Sequence, residues 1–135
     1  MDNKLVHLQM LQSVVTRMAG NSFLLKGWSV TLASALFALA ADKANVYFVY
    51  LAYFPVVMFW VLDGYFLRQE RLFRKLYDRV RGAPDNAIDY SMDTTAVSSE
   101  VQTWFGTCFS TTLIIFHGTV FGAVLVVMLV LAALN

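Results

Sequence analysis

The chain has little charge, one cysteine and none of the short motifs that mark common catalytic sites. Only 14% of its 135 residues are charged, whereas a soluble domain usually has about 25%. The single cysteine, Cys108, excludes an intrachain disulfide and a metal site of paired cysteines. No phosphate-binding loop, nucleophile elbow or HExxH motif is present. The sequence therefore predicts that the protein is not an enzyme.

Metal ligands are also sparse along the sequence. The two histidines, His7 and His117, are far apart and fall on different predicted helices. The acidic stretch at 85–93 lacks the repeated spacing of a calcium-binding loop. We therefore expect neither a metal site nor another cofactor.

Charge is absent from three long stretches, and this pattern predicts membrane spans. No Asp, Glu, Lys or Arg occurs in residues 27–41, 44–62 or 101–135. A helix needs about 20 apolar residues to cross about 30 Å of hydrocarbon. The first stretch reaches that length if Lys26 extends its ammonium group to the interface. The predicted fold is an all-α integral membrane protein with transmembrane helices at 22–41, 44–62 and 100–134, the third starting in the cytoplasm.

The remaining segments complete a single membrane domain over residues 1–135. Residues 2–19 have apolar side chains at helical spacing, which predicts an amphipathic helix that lies in the interface or packs on a partner. Gly20 is expected to end it. Residues 63–81 extend the second span as a basic cytoplasmic helix. Residues 82–99 form an acidic loop without a core of its own.

The distribution of positive charge predicts the orientation. Of ten Lys and Arg residues, only Lys43 lies on the far side of the spans. Because positive residues stay on the cytoplasmic side, the N-terminus is expected in the cytoplasm and the C-terminus outside. The expected location is a bacterial inner membrane.

The basic helix is the sharpest candidate for a binding site. In a ring of several copies, its cationic groups would surround a cytoplasmic opening and bind an anion, since arginine forks suit phosphates. Aromatic side chains beside them, Phe73 and Tyr77, are candidates for base stacking, although both also suit a packing face. The alternative is that the helix only anchors the protein on anionic lipid. The candidate ligand-binding residues are Arg68, Arg71, Arg74, Lys75, Arg79 and Arg81.

Other candidate residues lie within the spans. Gly118 and Gly122 form a GxxxG pattern, which lets helices approach closely within one subunit or between subunits. Three thin helices leave much surface for partners, which favours a homo-oligomer. Pro55, Thr112 and His117 are pore or gate candidates. The simpler interpretations are a structural kink at Pro55 and an interhelical hydrogen bond at His117.

Residues 65–78 read YFLRQERLFRKLYD and directly follow a WVLD span end at 60–63. This stretch resembles small bacterial membrane effectors of anti-phage defence operons, and is similar to the transmembrane effectors of the Hailong system. The resemblance implies a homotetrameric, channel-like effector. It also implies that a DNA oligomer, made by a partner nucleotidyltransferase, holds the channel shut, and that its loss depolarises the membrane. Of the site residues, only the basic helix carries over.

The leading prediction is an oligomeric membrane channel that an anionic ligand, such as a DNA oligomer or a nucleotide, gates from the cytoplasm. Two other classes stay open. One is a non-conducting adaptor that anchors a soluble partner, and the other is a small transporter. The chain has no internal repeat of the kind common in transporters.

Overall fold

The computed structural model describes residues 2–43 and 45–134, without the side chain of Lys43, and these residues contain helices and no strand. The α-helices are α1 (Asn3–Lys43), α2 (Tyr47–Arg81), α3 (Trp104–Cys108) and α4 (Thr111–Leu134). Short 3₁₀ helices occur at Asp85–Ala87 and Thr95–Glu100. Because α1, α2 and α4 are each long and apolar enough to cross a membrane, the predicted all-α class with three candidate spans is confirmed.

The predicted break between an amphipathic helix at 2–19 and the first span is wrong, because α1 is one continuous helix of 41 residues. A glycine inside a helix costs about 1 kcal/mol relative to alanine. Packing against α2 on both sides of Gly20 outweighs this cost. Before it, Leu11 and Val15 are buried. After it, Ser22 bonds to an α2 side chain. The apolar face of residues 2–19 therefore packs within the chain instead of on the membrane surface.

α2 joins the predicted second span and the predicted basic helix into one element of 35 residues. At 1.5 Å per residue it is about 52 Å long, well beyond the hydrocarbon thickness. Pro55 lies inside this helix and removes one backbone donor there. Ala44, the predicted first residue of the span, lies outside the described residues. A short turn joins α1 to α2, and the two pack side by side as an antiparallel pair.

Two separate apolar cores lie along this helix pair. The span core is built on α1, α2 and α4, and its buried members are Ala33, Ala40, Val49, Ala52, Val56 and Val124. The distal core lies at the other end, and its buried members are Leu11, Leu72, Leu76, Val80 and Val97. We call residues 3–20 and 65–101, which surround the distal core, the distal unit.

Residues 82–99, predicted to be an acidic loop without a core of its own, contribute side chains to the distal core of α1 and α2. Val97 is completely buried in the distal core, and Ile88 and Met92 pack against it. Short polar side chains fix the course of the backbone around these apolar residues. They accept hydrogen bonds from backbone amides two residues further along the chain. Asp89 accepts from the Ser91 amide at 3.0 Å, and Asp93 accepts from the Thr95 amide at 2.9 Å. Such local bonds let an acidic segment fold back while its few apolar side chains reach the core.

The predicted third helix does not begin near Glu100. Val101 is extended, with φ −125° and ψ 142°. The Thr103 side chain then caps α3 by accepting from the Gly106 amide at 3.2 Å. After a break, α4 starts at Thr111. Trp104 holds α3 beside α2, because its indole N–H donates to the Val61 carbonyl at 2.9 Å.

Candidate functional site

A charged side chain, Asp63, is completely buried where the span core meets the distal unit. Lys26 on α1 lies 2.6 Å away, measured from Nζ to Oδ2. His117 on α4 donates from Nε2 to the same oxygen, also at 2.6 Å. Ser22 on α1 donates its hydroxyl to Oδ1. One carboxylate therefore binds side chains from both other candidate spans.

The helical repeat places the two α1 donors together. Ser22 and Lys26 are four residues apart, so both face α2. The Lys26 ammonium also donates to the Ser22 hydroxyl at 2.8 Å. Its side chain is only 20% exposed and lies 5.9 Å from the centre of the Phe116 ring. The Lys26 ammonium therefore binds an internal carboxylate, and its extension to the interface stays a prediction.

Close packing around Gly64 and Trp60 fixes the wall of the cluster. A β-carbon on Gly64 would lie 2.4 Å from Cys108 Sγ, so only glycine lets α3 approach α2 this closely. The Trp60 ring lies nearly parallel to the His117 imidazole, with centroids 5.9 Å apart. The Trp60 indole N–H donates to the Cys108 carbonyl at 2.7 Å. These contacts hold α2, α3 and α4 together at the level of Asp63.

The hydrogen bonds indicate which ring nitrogen of His117 carries a hydrogen. A carboxylate only accepts, so His117 Nε2 carries the hydrogen that points at Asp63. His117 Nδ1 is buried and has no hydrogen-bond partner among the described residues. A neutral imidazole leaves a lone pair there, whereas a protonated one would leave a buried charged donor, which costs more. The arrangement therefore suits a neutral His117 beside a Lys26–Asp63 ion pair.

This cluster joins three helices through one shared carboxylate, and we call it the latch. Moving two charges out of water costs free energy that offsets much of their attraction. Removing one partner leaves an uncompensated buried charge and destabilises the fold by about 3–5 kcal/mol. The cluster also joins ionisable groups of three candidate spans, and ionisable groups within membrane spans are rare and usually functional. It therefore stabilises one arrangement of α1, α2 and α4 and responds to a change in any of them.

The predicted basic residues do not form one surface. Arg71, Arg74 and Lys75 border a groove of about 390 Å³, which the carboxylates of Asp78 and Glu100 also line. Arg79 instead lines a separate cavity of the distal unit.

Three of these basic side chains already have partners within the chain. Arg74 pairs with Glu70 at 2.8 Å, as the spacing of four residues predicts. Arg81 lies 3.6 Å from Asp78. Arg68 donates to the Gln102 carbonyl at 3.0 Å. The groove around Arg71 and Lys75 therefore has the cationic groups that are freest for a ligand.

The aromatic and glycine candidates have different surroundings. Phe73 and Tyr77 pack against the distal core while remaining partly exposed. A β-carbon on Gly122 would meet nothing within 4 Å, and one on Gly118 would meet only Ile114 of the same helix. The GxxxG face is thus open in the described chain. Whether it binds another copy stays a prediction.

The gate candidates are also separated. Pro55 lies partly buried in α2, and Thr112 is exposed at the start of α4. His117 forms the interhelical hydrogen bond that the simpler interpretation expected. Its role in gating stays a prediction.

Sequence reasoning missed Ser22, Lys26 and Asp63 as members of a site. A signal was present, because Lys26 and Asp63 lie equally far along the chain from the turn between α1 and α2. In an antiparallel helix pair, opposite charges at matched distances from the turn come to the same level.

Comparison with known proteins found no family model, no curated protein and no solved structure that matches this chain. The resemblance of residues 65–78 to defence effectors therefore stays a prediction.

Proposed function

We propose that this protein is an oligomeric membrane channel that an anionic ligand controls through the distal unit. The observation that carries the proposal is the cluster at Asp63, which connects all three candidate spans at one level. The cluster acts as the latch of the closed state. Releasing it lets α1, α2 and α4 separate at the level of Asp63, where α1 and α2 continue into the distal unit.

The continuity of α2 supports this coupling between ligand and latch. Asp63 and Arg71 lie on the same unbroken helix, about 12 Å apart along its axis at 1.5 Å per residue. A ligand bound at Arg71 or Lys75 therefore steadies the helix that carries the Asp63 carboxylate. Since a buried ion pair tolerates little misalignment, a small displacement of α2 after loss of the ligand weakens the latch.

The ligand of this proposal is a phosphate-bearing anion in the groove of Arg71, Arg74 and Lys75. The groove volume of about 390 Å³ accommodates one or two phosphate groups with part of a nucleotide. Guanidinium groups pair with phosphate through two parallel hydrogen bonds. The resemblance to defence effectors favours a DNA oligomer from a partner nucleotidyltransferase, and a role in anti-phage defence at a bacterial inner membrane.

The proposed channel requires several copies of the chain, with four as the working number. The space between α1, α2 and α4 is filled by the span core, including Ala33, Val56 and Val124. An ion path therefore runs between subunits instead of through one. The open GxxxG face at Gly118 and Gly122 offers a surface on which a second helix approaches closely.

The test is ion flux from liposomes that contain the purified full chain. Asp63→Asn removes the shared acceptor, and we expect flux without ligand to rise at least tenfold, which corresponds to about 1.4 kcal/mol. Asp85→Asn is the matched control, because the Asp85 side chain is 83% exposed. The double variant Lys26→Met/Asp63→Asn removes both charges of the ion pair. It shows whether loss of the latch or the unpaired charge of Lys26 raises the ion flux. Equal, negligible flux from all of these proteins would reject the channel.

A second candidate, a small proton-coupled transporter, is favoured by the buried Lys26–Asp63–His117 group itself, since such groups often carry protons in transporters. The same liposomes separate the two. A channel conducts its permeant ion down the gradient of that ion without a pH gradient, whereas a proton-coupled transporter moves its substrate only with a pH gradient.

A further inference from the structure

A second polar site lies in the distal unit, well away from Asp63. A cavity of about 230 Å³ opens between the end of α2 and residues 83–96. Its floor is apolar and includes Leu76, Val80 and Ile88. Its polar wall consists of His7, Arg79, Asp89 and Asp93, together with Ser91.

His7 is buried, with 1% of its surface exposed, and lacks one hydrogen-bond partner. Its Nε2 lies 2.8 Å from the Ser91 carbonyl oxygen. Because a carbonyl only accepts, Nε2 carries the hydrogen and Nδ1 of the neutral ring is an acceptor. Nδ1 has no partner in the described part of the chain. Buried polar atoms are nearly always paired in native proteins, so this acceptor is an unusual feature of a residue that lines the cavity.

Charged groups of both signs border the same cavity. Asp89 and Asp93 each direct Oδ1 to a local backbone amide, which leaves their other oxygens for a ligand. Arg79 is exposed and forms no ion pair among the described residues. A ligand that fits this wall carries a positive group for the carboxylates and a negative group for the guanidinium.

The backbone beside the cavity is in a strained conformation. Tyr90, between Asp89 and Ser91, has φ of 56°, a left-handed value that a bulky residue rarely adopts. Its ring lies 5.8 Å from the ring of His7. Strained residues of this kind cluster at binding sites, where the surroundings hold them in place. The strain here fixes the direction of the Ser91 carbonyl and of the neighbouring carboxylate.

We infer that this cavity binds a free amino acid, a small molecule with both a primary ammonium group and a carboxylate. The ammonium meets Asp89 and Asp93, and the carboxylate meets the Arg79 fork. A water molecule takes about 30 Å³ of liquid, so a cavity of about 230 Å³ has room for seven or eight non-hydrogen atoms.

The inference is independent of the proposed channel, because its test measures binding without ion flux. The full chain in detergent is titrated calorimetrically with the twenty common amino acids, and with propylamine and propionate as probes of one charge each. We expect saturable binding of one or more small amino acids, and at least tenfold weaker binding of both single-charge probes. Arg79→Gln and Asp93→Asn are each expected to weaken binding at least tenfold. Arg81→Gln, the matched control on the same helix, leaves it unchanged.

Three results would overturn the inference. The first is no saturable binding of any of the twenty amino acids. The second is binding that Arg79→Gln leaves intact, since Arg79 is exposed and its replacement does not disturb the fold. The third is equal affinity for an amino acid and for propylamine, which would show a plain cation site. Circular dichroism of each variant separates loss of binding from loss of folding.

Discussion

His117 on α4 donates a hydrogen bond to Asp63 on α2 across 2.6 Å, although the two residues lie 54 positions apart. Both side chains are completely buried, and the same carboxylate oxygen also binds Lys26. A single acceptor therefore determines how three helices meet.

The first prediction concerns the charge balance at Asp63. Asp63→Asn is expected to lower the free energy of unfolding by about 3–5 kcal/mol, because Lys26 is left as an uncompensated buried charge. The measurement is unfolding by sodium dodecyl sulfate in mixed micelles, followed by circular dichroism. Adding Lys26→Met is expected to restore much of the loss. If the double variant were as unstable as Asp63→Asn, the charge argument would be wrong.

The second prediction concerns the contact between Gly64 and Cys108. Gly64→Ala places a methyl group 2.4 Å from Cys108 Sγ, and overpacking of this kind typically costs about 1–3 kcal/mol. Gly20→Ala is the control, because a β-carbon there meets nothing within 4 Å. In the interior of α1 this control is expected to stabilise by up to about 1 kcal/mol.

The same micelle unfolding assay measures both glycine variants. Cys108→Ala is expected to rescue Gly64→Ala, since it removes the sulfur atom that the methyl group meets. A destabilising Gly20→Ala would argue against the continuous α1.

The third prediction concerns the open glycine face of α4. Gly118→Leu and Gly122→Leu are expected to leave the fold of one chain intact, because a β-carbon at either position meets no other helix of the described chain. If copies associate through this face, each variant shifts the chemical crosslinking pattern from oligomer to monomer. Ile115→Val, at an exposed position of α4, is the control. An unchanged ladder of crosslinked species in both glycine variants would place the subunit contact elsewhere.

The fourth prediction concerns Asp93, outside the spans. Hydrogen bonds from the Thr95 side chain and amide lower the pKa of the Asp93 carboxyl from its ordinary value of 3.8. Since the folded pKa is the lower one, the stabilisation is present above pH 3.8 and is lost as the pH falls through the folded value. Thr95→Ala removes the largest cause, so the pKa of Asp93 is expected to rise towards 3.8. Carboxyl NMR titration measures it, and an unchanged pKa would contradict the assignment.

The all-α class and the three candidate spans were predictable, because charge-free stretches of span length leave few other structures open to the chain. The ion pair of Arg74 with Glu70 was predictable as well. Neighbours four apart on one helix meet whatever the rest of the chain does.

Local signals were misleading where long-range contacts oppose them. Gly20 reads as a helix end, yet α1 continues through it because α2 supports the helix on both sides. The acidic composition of 82–99 indicates a solvated loop, but Val97 is buried in the distal core. In both cases the deciding contacts come from residues distant in the sequence, so no local window contains them.

The sequence alone determined how much of this protein is apolar and where the charges lie along it. Hydropathy and helical spacing are properties of one segment, so they can be recognised in the sequence without knowledge of the fold. Only the tertiary structure decided that Lys26, Asp63 and His117 meet, and that His7 and Arg79 border one cavity. Two buried charges meet only when the helices that carry them pack together. That packing depends on every helix in the contact, so no single segment determines it.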